Sequence, residues 1–74
     1  MEAATLPKSL GSAIRRRRQA LKLSQEDFAD HIDMHRAYYS AIERGERNLT
    51  LVTLHKVSLG LGVAPSKLLA ESGF

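Results

Sequence analysis

Apolar residues return along the chain at helical intervals, and the breaks between the runs divide it into five short segments. Leu10, Ile14, Arg18 and Leu21 fall at i, i+4, i+8 and i+11. They form one stripe of a first helix that starts at Pro7 or Ser9 and runs to about Leu21. Phe28, Ala29 and Ile32 mark a second helix, opened by Ser24 with Asp27 three residues on, a capping-box-like pair. After a break at Asp33-Met34, Tyr39 and Ile42 mark a third, from about His35 to Arg44, with Gly45 as its left-handed stop. Leu51, Leu54, Val57 and Leu61 predict the buried stripe of a fourth helix, capped by Thr50 and ended by Gly60 and Gly62. Pro65 begins a fifth at its first position, with Leu68 and Leu69 apolar and Gly73 at its end. No segment alternates as a strand does and no tract repeats, so the expected class is all-α. Helices this short cannot each bury a face alone and must pack on one another.

At 74 residues the chain is expected to be one domain over 1–74, with residues 1–6 as a loose terminus. Its apolar content of 43% is that of a globular protein, not a disordered one. No cysteine is present, so neither disulfides nor thiolate metal sites can reinforce so small a core, and dimerisation is the remaining common route. No apolar run approaches the roughly 20 residues of a membrane span, and no secretion signal is visible at the N-terminus. The expectation is a soluble, cytoplasmic protein.

Charge is patterned more than it is large. The net charge is +3, yet seven of the eleven basic residues lie before Ala37, four of them consecutive at Arg15 to Arg18. Glu26, Asp27, Asp30 and Asp33 sit close by in sequence, so only one face need attract phosphate. Arg18 falls on the apolar stripe, and a buried guanidinium is costly without a carboxylate to meet it. Arg15, Arg16 and Arg17 point elsewhere, either as a solvated face or as a flank that attracts phosphate.

On the third helix the stripe leaves Arg36, Ala37, Tyr38 and Ser40 exposed, followed by Arg44: donors, a small residue, a ring and no acid. Such a surface suits the edge of a base pair. Three stretches carry a resemblance: Leu23-Ser24-Gln25-Glu26-Asp27-Phe28-Ala29, Ile42-Glu43-Arg44-Gly45-Glu46-Arg47-Asn48, and Leu61-Gly62-Val63-Ala64-Pro65-Ser66-Lys67-Leu68-Leu69. With the Arg-rich first helix they resemble the XRE family of lambda-repressor-like helix-turn-helix proteins, from about Ser9 to Ala70. The stretch from His35 to Thr50 is similar to the Arg-x-Tyr-x-Ser-x-Ile-Glu-Arg core of restriction–modification controller proteins.

The resemblance implies a five-helix lambda-repressor-like DNA-binding domain whose second and third helices form the helix-turn-helix. It implies a bacterial or phage-encoded, nucleoid-associated regulator that binds a near-palindromic operator in double-stranded DNA as a homodimer, with RNA polymerase as a further partner and no cofactor. Arg36, Ala37, Tyr38 and Ser40 match base-reading positions. Ser24, Gln25, Arg44, Arg47, Asn48 and Thr50 match backbone-holding ones, and Gln25 also braces the third helix. Arg18 is paired with Glu43, the carboxylate its place on the stripe demands. A two-fold dimer sets two such third helices about 34–36 Å apart, in successive major grooves. Pro65, Lys67, Leu68 and Phe74 are the expected dimer patch. Three positions depart from the family pattern. Asp33 stands where the turn commonly has Gly, Tyr39 where Ile or Val is usual, and Ala64 where a cap residue is frequent.

Other classes find less support in the residues. His31 and His35 are four apart, but the turn falls between them and no third metal ligand has suitable spacing. Catalysis would need a nucleophile with a matched base or a Gly-rich phosphate loop, and neither is present. A basic membrane-surface helix over 10–21 would spend the stripe that the core requires. The serious alternative is a protein-interaction module, such as an antitoxin, using Asp27, Asp30 and Asp33.

Overall fold

The computed structural model describes residues 5–74, and five helices follow one another in the expected order. They are α1 (Leu6–Ala20), α2 (Gln25–His31), α3 (Arg36–Glu43), α4 (Leu51–Leu61) and α5 (Pro65–Glu71). The loose terminus expected over 1–6 is corrected at its end, because Thr5 already flanks α1 and Leu6 opens it; residues 1–4 lie outside the described residues.

Caps set the boundaries. Ser24 Oγ accepts from the Asp27 N–H at 3.0 Å and Thr50 Oγ1 from the Thr53 N–H at 3.1 Å, each satisfying a donor that the helix start leaves free. Ala64 makes no side-chain cap, and Pro65 alone starts α5. At the other ends one motif recurs. Gly45, Gly62 and Gly73 take left-handed φ of 76°, 74° and 92°. Behind them Glu46, Val63 and Phe74 donate back to Ala41, Ser58 and Leu69. Asp33 takes the same role after α2 with φ 54°, and Met34 N–H bonds Ala29 O at 2.8 Å. The helix-turn-helix bend therefore keeps its geometry without glycine, and Lys56 Nζ donates to the Asp33 carbonyl at 3.0 Å.

The core is formed by Leu10, Ala13, Ile14, Phe28, Ala29, Ile32, Tyr39, Ile42, Leu54, Val57, Leu61 and Leu68. The Phe28 and Tyr39 rings meet at 5.2 Å with a 52° tilt, an arrangement suited to their quadrupoles. α1 lies across α3 and α5, while α2 packs on α3 and α4 on α5. Gly11 allows α1 to approach α3 closely: a Cβ there would stand 2.5 Å from Ile42 O and 2.7 Å from Glu43 O.

Three expected core or surface assignments are corrected. Leu51 is 84% exposed, although the fourth stripe was to bury it, and Leu21 is 46% exposed at the end of α1. Conversely Leu68, expected on the dimer patch, is fully buried against the core. α4 carries apolar residues around most of its circumference, so spacing alone could not say which of them faces inward.

Candidate nucleic-acid interface

One carboxylate holds α1, α2 and α3 together. Glu43 is the last residue of α3, and its side chain is only 2% exposed. Arg18 of α1 donates to it twice, Nε to Oε2 at 2.6 Å and Nη2 to Oε1 at 3.0 Å. Gln25 of α2 donates Nε2 to Oε1 at 2.9 Å, and the Tyr39 hydroxyl donates to Oε2 from one turn back on α3. The remaining Arg18 fork reaches Leu23 O at 2.8 Å. Among the described residues no buried side-chain polar atom is left without a partner.

The electrostatics follow from this geometry. Burial alone would push the Glu43 carboxyl up, but the hydrogen bonds from Arg18, Tyr39 and Gln25 outweigh it and hold the group below the ordinary range. Burial, and then the adjoining Glu43 charge, push the Tyr39 phenol well up, so it stays a neutral donor. The bond to Glu43 raises Arg18 further, despite its desolvation. The carboxylate that the first stripe requires is present and is Glu43, the partner the resemblance implied, and Gln25 braces α3 as expected. Tyr39, where an aliphatic residue is usual, finds in Glu43 the partner its hydroxyl needs.

This frame presents the N-terminal end of α3 outward. His35 caps it, its Nδ1 accepting from the Ala37 N–H at 3.3 Å. Arg36 and Ala37 are exposed, whereas Tyr38 and Ser40 are half-buried and depart from the fully exposed face that spacing suggested. The Tyr38 ring packs on the core and carries the Arg47 guanidinium 5.2 Å above its centroid. Ser40 Oγ accepts from Arg44 Nη1 at 2.6 Å, and Arg44 Nη2 reaches Glu46 at 3.0 Å. The third helix itself has no outward acid, but the surface is not free of one. Glu26 and Asp30 of α2 stand 3.4 and 3.6 Å from the Arg36 guanidinium. Their i, i+4 spacing was the sequence signal for a shared face.

The remaining predicted residues fall into three groups. Ser24, Gln25, Arg44, Arg47, Asn48 and Thr50 occupy the starts of α2 and α4 and the connector between α3 and α4; Arg44, Arg47, Asn48 and Thr50 are exposed. Arg15 and Arg16 are exposed on α1, while Arg17 is tied to Glu71 at the end of α5. Of the expected dimer patch, Lys67 and Phe74 are exposed, Pro65 is half-buried, and Leu68 belongs to the core. Among the described residues no cluster of side chains could hold a metal ion, and no helix is long and apolar enough to cross a membrane.

Two helices joined by a left-handed turn, the second fixed from behind and open at its first turn, define a helix-turn-helix protein. A family model described as Helix-turn-helix matches residues 14–68, and the chain belongs to that family. Controller proteins are prominent among its relatives. Over 55 residues it is 51% identical to control protein C.MunI of a Mycoplasma species, covering 74% of each chain. The solved structure of the controller C.AhdI from Aeromonas hydrophila superposes with a TM-score of 0.78 at 36% identity, over 82% of this chain and 92% of that one. The controller C.Esp1396I, solved as a tetramer with its natural 35 base-pair operator, gives 0.79 at 32% identity, over 93% and 96%.

Proposed function

We propose that this regulator binds a near-palindromic operator in double-stranded DNA as a homodimer and controls transcription of a restriction–modification system. The observation that carries the reading is the outward first turn of α3, Arg36 and Ala37, locked at a fixed angle by the Glu43 network. A guanidinium can fork onto O6 and N7 of guanine, discriminating by about 1–3 kcal/mol. Ala37 can meet a thymine methyl. Tyr38 offers its ring edge or hydroxyl, and Ser40 a hydroxyl that first has to leave Arg44. Ser24, Gln25, Arg44, Arg47, Asn48 and Thr50 hold the phosphate backbone on either side. The protein-interaction reading is not favoured, since Asp30 is turned toward Arg36 and several relatives are control proteins.

The proposed dimer patch extends to the outer side of α4, and of the residues expected on it only Leu68 leaves for the core. Leu51, Val52 and Leu59 are 84%, 78% and 70% exposed and lie within one side of the helix at 100° per residue. A groove of about 280 Å³ continues from Leu51 to Leu6, Leu49 and Leu69. Phe74, 51% exposed, remains part of the patch. An activating role adds RNA polymerase as a second partner, acting in the cytoplasm at the nucleoid, and transcription with purified polymerase tests it.

Selection of bound duplexes from a random pool tests the central claim. The expected result is an inverted repeat whose binding falls steeply with salt. Arg36→Ala is expected to erase the preference at one symmetric pair of positions; an unchanged consensus refutes the assigned role.

A further inference from the structure

The surroundings of Arg36 are unusual for a residue meant to meet DNA. Its side chain is 58% exposed, yet two carboxylates from α2 flank the guanidinium, Glu26 Oε2 at 3.4 Å from Nη1 and Asp30 Oδ2 at 3.6 Å from Nη2. Both separations exceed the about 2.7–2.9 Å of a direct charge-assisted hydrogen bond, so the N–H fork is held without being consumed. Stability does not explain the arrangement. Exposed pairs of this kind contribute little, and like charges at i, i+4 on a helix repel. Two carboxylates against a single guanidinium leave this corner of the face net negative, in a chain that is otherwise basic.

We infer that Glu26 and Asp30 are specificity-determining residues, which screen Arg36 from phosphate and leave it available only to a neutral base edge. The inference rests on Arg36 as the guanine reader. A phosphate approaching Arg36 must bring its charge beside both carboxylates. The O6 and N7 edge of guanine carries no charge and meets no such repulsion, and the fork is already held in place. Arg36 thus adds little to sequence-independent attraction and much to discrimination. This matters because non-specific duplex competes for every dimer in vast excess.

The test compares two charge-matched double variants of the full chain, Glu26→Gln/Asp30→Asn and Asp27→Asn/Asp33→Asn. Asp27 and Asp33 are exposed and lie in no ion pair among the described residues, and Asn tolerates the left-handed bend at 33 and leaves the Asp27 N–H to its cap, so they report the general field. Binding is measured against the duplex selected from the random pool and a scrambled duplex of equal length, across a salt series. Removing the screen lets each Arg36 take a phosphate on the scrambled duplex. Each added contact steepens the log–log salt slope by about 0.9, or about 2 for a dimer, and strengthens scrambled-duplex binding about tenfold near 0.1 M salt. Specific binding changes far less, so the specificity ratio narrows by about one to two orders of magnitude for the dimer.

The Asp27/Asp33 variant is expected to move both duplexes together and keep the ratio. An equal effect of the two variants overturns the screen, as does a Glu26/Asp30 variant weakened on both duplexes. A changed preferred base with an unaltered scrambled-duplex slope also overturns it, since it would make Glu26 a direct reader. Arg36→Ala in parallel separates the two ideas. If it leaves the consensus intact, the guanine assignment fails; if it erases one position while the double variants behave alike, only the screen fails.

Discussion

Arg18→Met removes the cation from a nearly closed pocket and leaves Glu43 charged within it. The Arg18 and Glu43 side chains are 9% and 2% exposed, and two of the four hydrogen bonds to that carboxylate come from Arg18. Breaking one side of a buried pair costs about 3–5 kcal/mol. A 74-residue domain has little more than that to lose, and its Tm falls by about 12 °C or more. The pH dependence is the sharper signature. In the native chain burial raises the Glu43 pKa, but the bonds led by Arg18 bring it below the unfolded value. Its contribution is therefore complete above the unfolded carboxylate pKa and is lost as pH falls through the folded one. Without Arg18 the burial effect prevails and the folded pKa rises above the unfolded value. The variant is then penalised near neutrality and recovers as the carboxyl protonates on acidification. Urea unfolding followed by helical ellipticity at about pH 7 and pH 5, at one protein concentration, measures the gap to the native chain. The gap is expected to shrink toward pH 5, and Arg18→Met/Glu43→Gln to regain most of the loss at pH 7. A gap that is below about 1 kcal/mol at pH 7, or that widens on acidification, refutes the reasoning.

Four further outcomes follow from core packing, the proposed dimer patch and a helix cap. Gly11→Ala, which at an open helical site would stabilise by roughly 1 kcal/mol, is expected to destabilise by about 2 kcal/mol or more, because its Cβ meets backbone oxygens of α3; thermal melts decide the sign. Leu51→Glu is expected to leave monomer stability within about 0.5 kcal/mol while raising the dimer dissociation constant at least about tenfold, read by sedimentation equilibrium. Leu68→Ala, at the buried position once assigned to the patch, is expected to cost about 2–5 kcal/mol in the same urea assay, so the two leucines separate interface from core. Thr50→Ala removes the cap on Thr53 N–H and is expected to cost about 1 kcal/mol.

How far the chain could be read in advance depended on whether the deciding interaction was local. Caps, the stops at Gly45, Gly62 and Gly73 and the demand that Arg18 meet a carboxylate are written within a few residues and are present, whereas Gly60, expected to help end α4, lies inside it. The left-handed Asp33 followed from the resemblance, which puts Gly at that turn, whereas the left-handed Lys22, with φ 60°, carried no such signal. Orientation on α4 was not legible: six apolar residues in eleven leave several stripes possible, and only the positions of α1, α2 and α5 choose among them. Leu51 went outward for that reason, while Leu68 turned inward because α5 packs on α1 and α4. Charge around the candidate interface was half legible. α3 carries no outward acid, but the acids that matter arrive from α2 across the turn, and their partner is fixed by tertiary geometry. Arg47 over Tyr38 likewise joins a loop to a helix, through a contact that no spacing records.

Glu43 gathers donors from three helices, and hydrogen bonds constrain direction as oily contacts do not. α3 is thereby set like a blade in a fixed mount, its pitch decided by Arg18, Gln25, Tyr39 and Glu43 behind it. Arg36 and Ala37 take no part in that mount. On the proposed reading their identities can be exchanged for others, and a new target sequence acquired, while the tilt of α3 stays as it was.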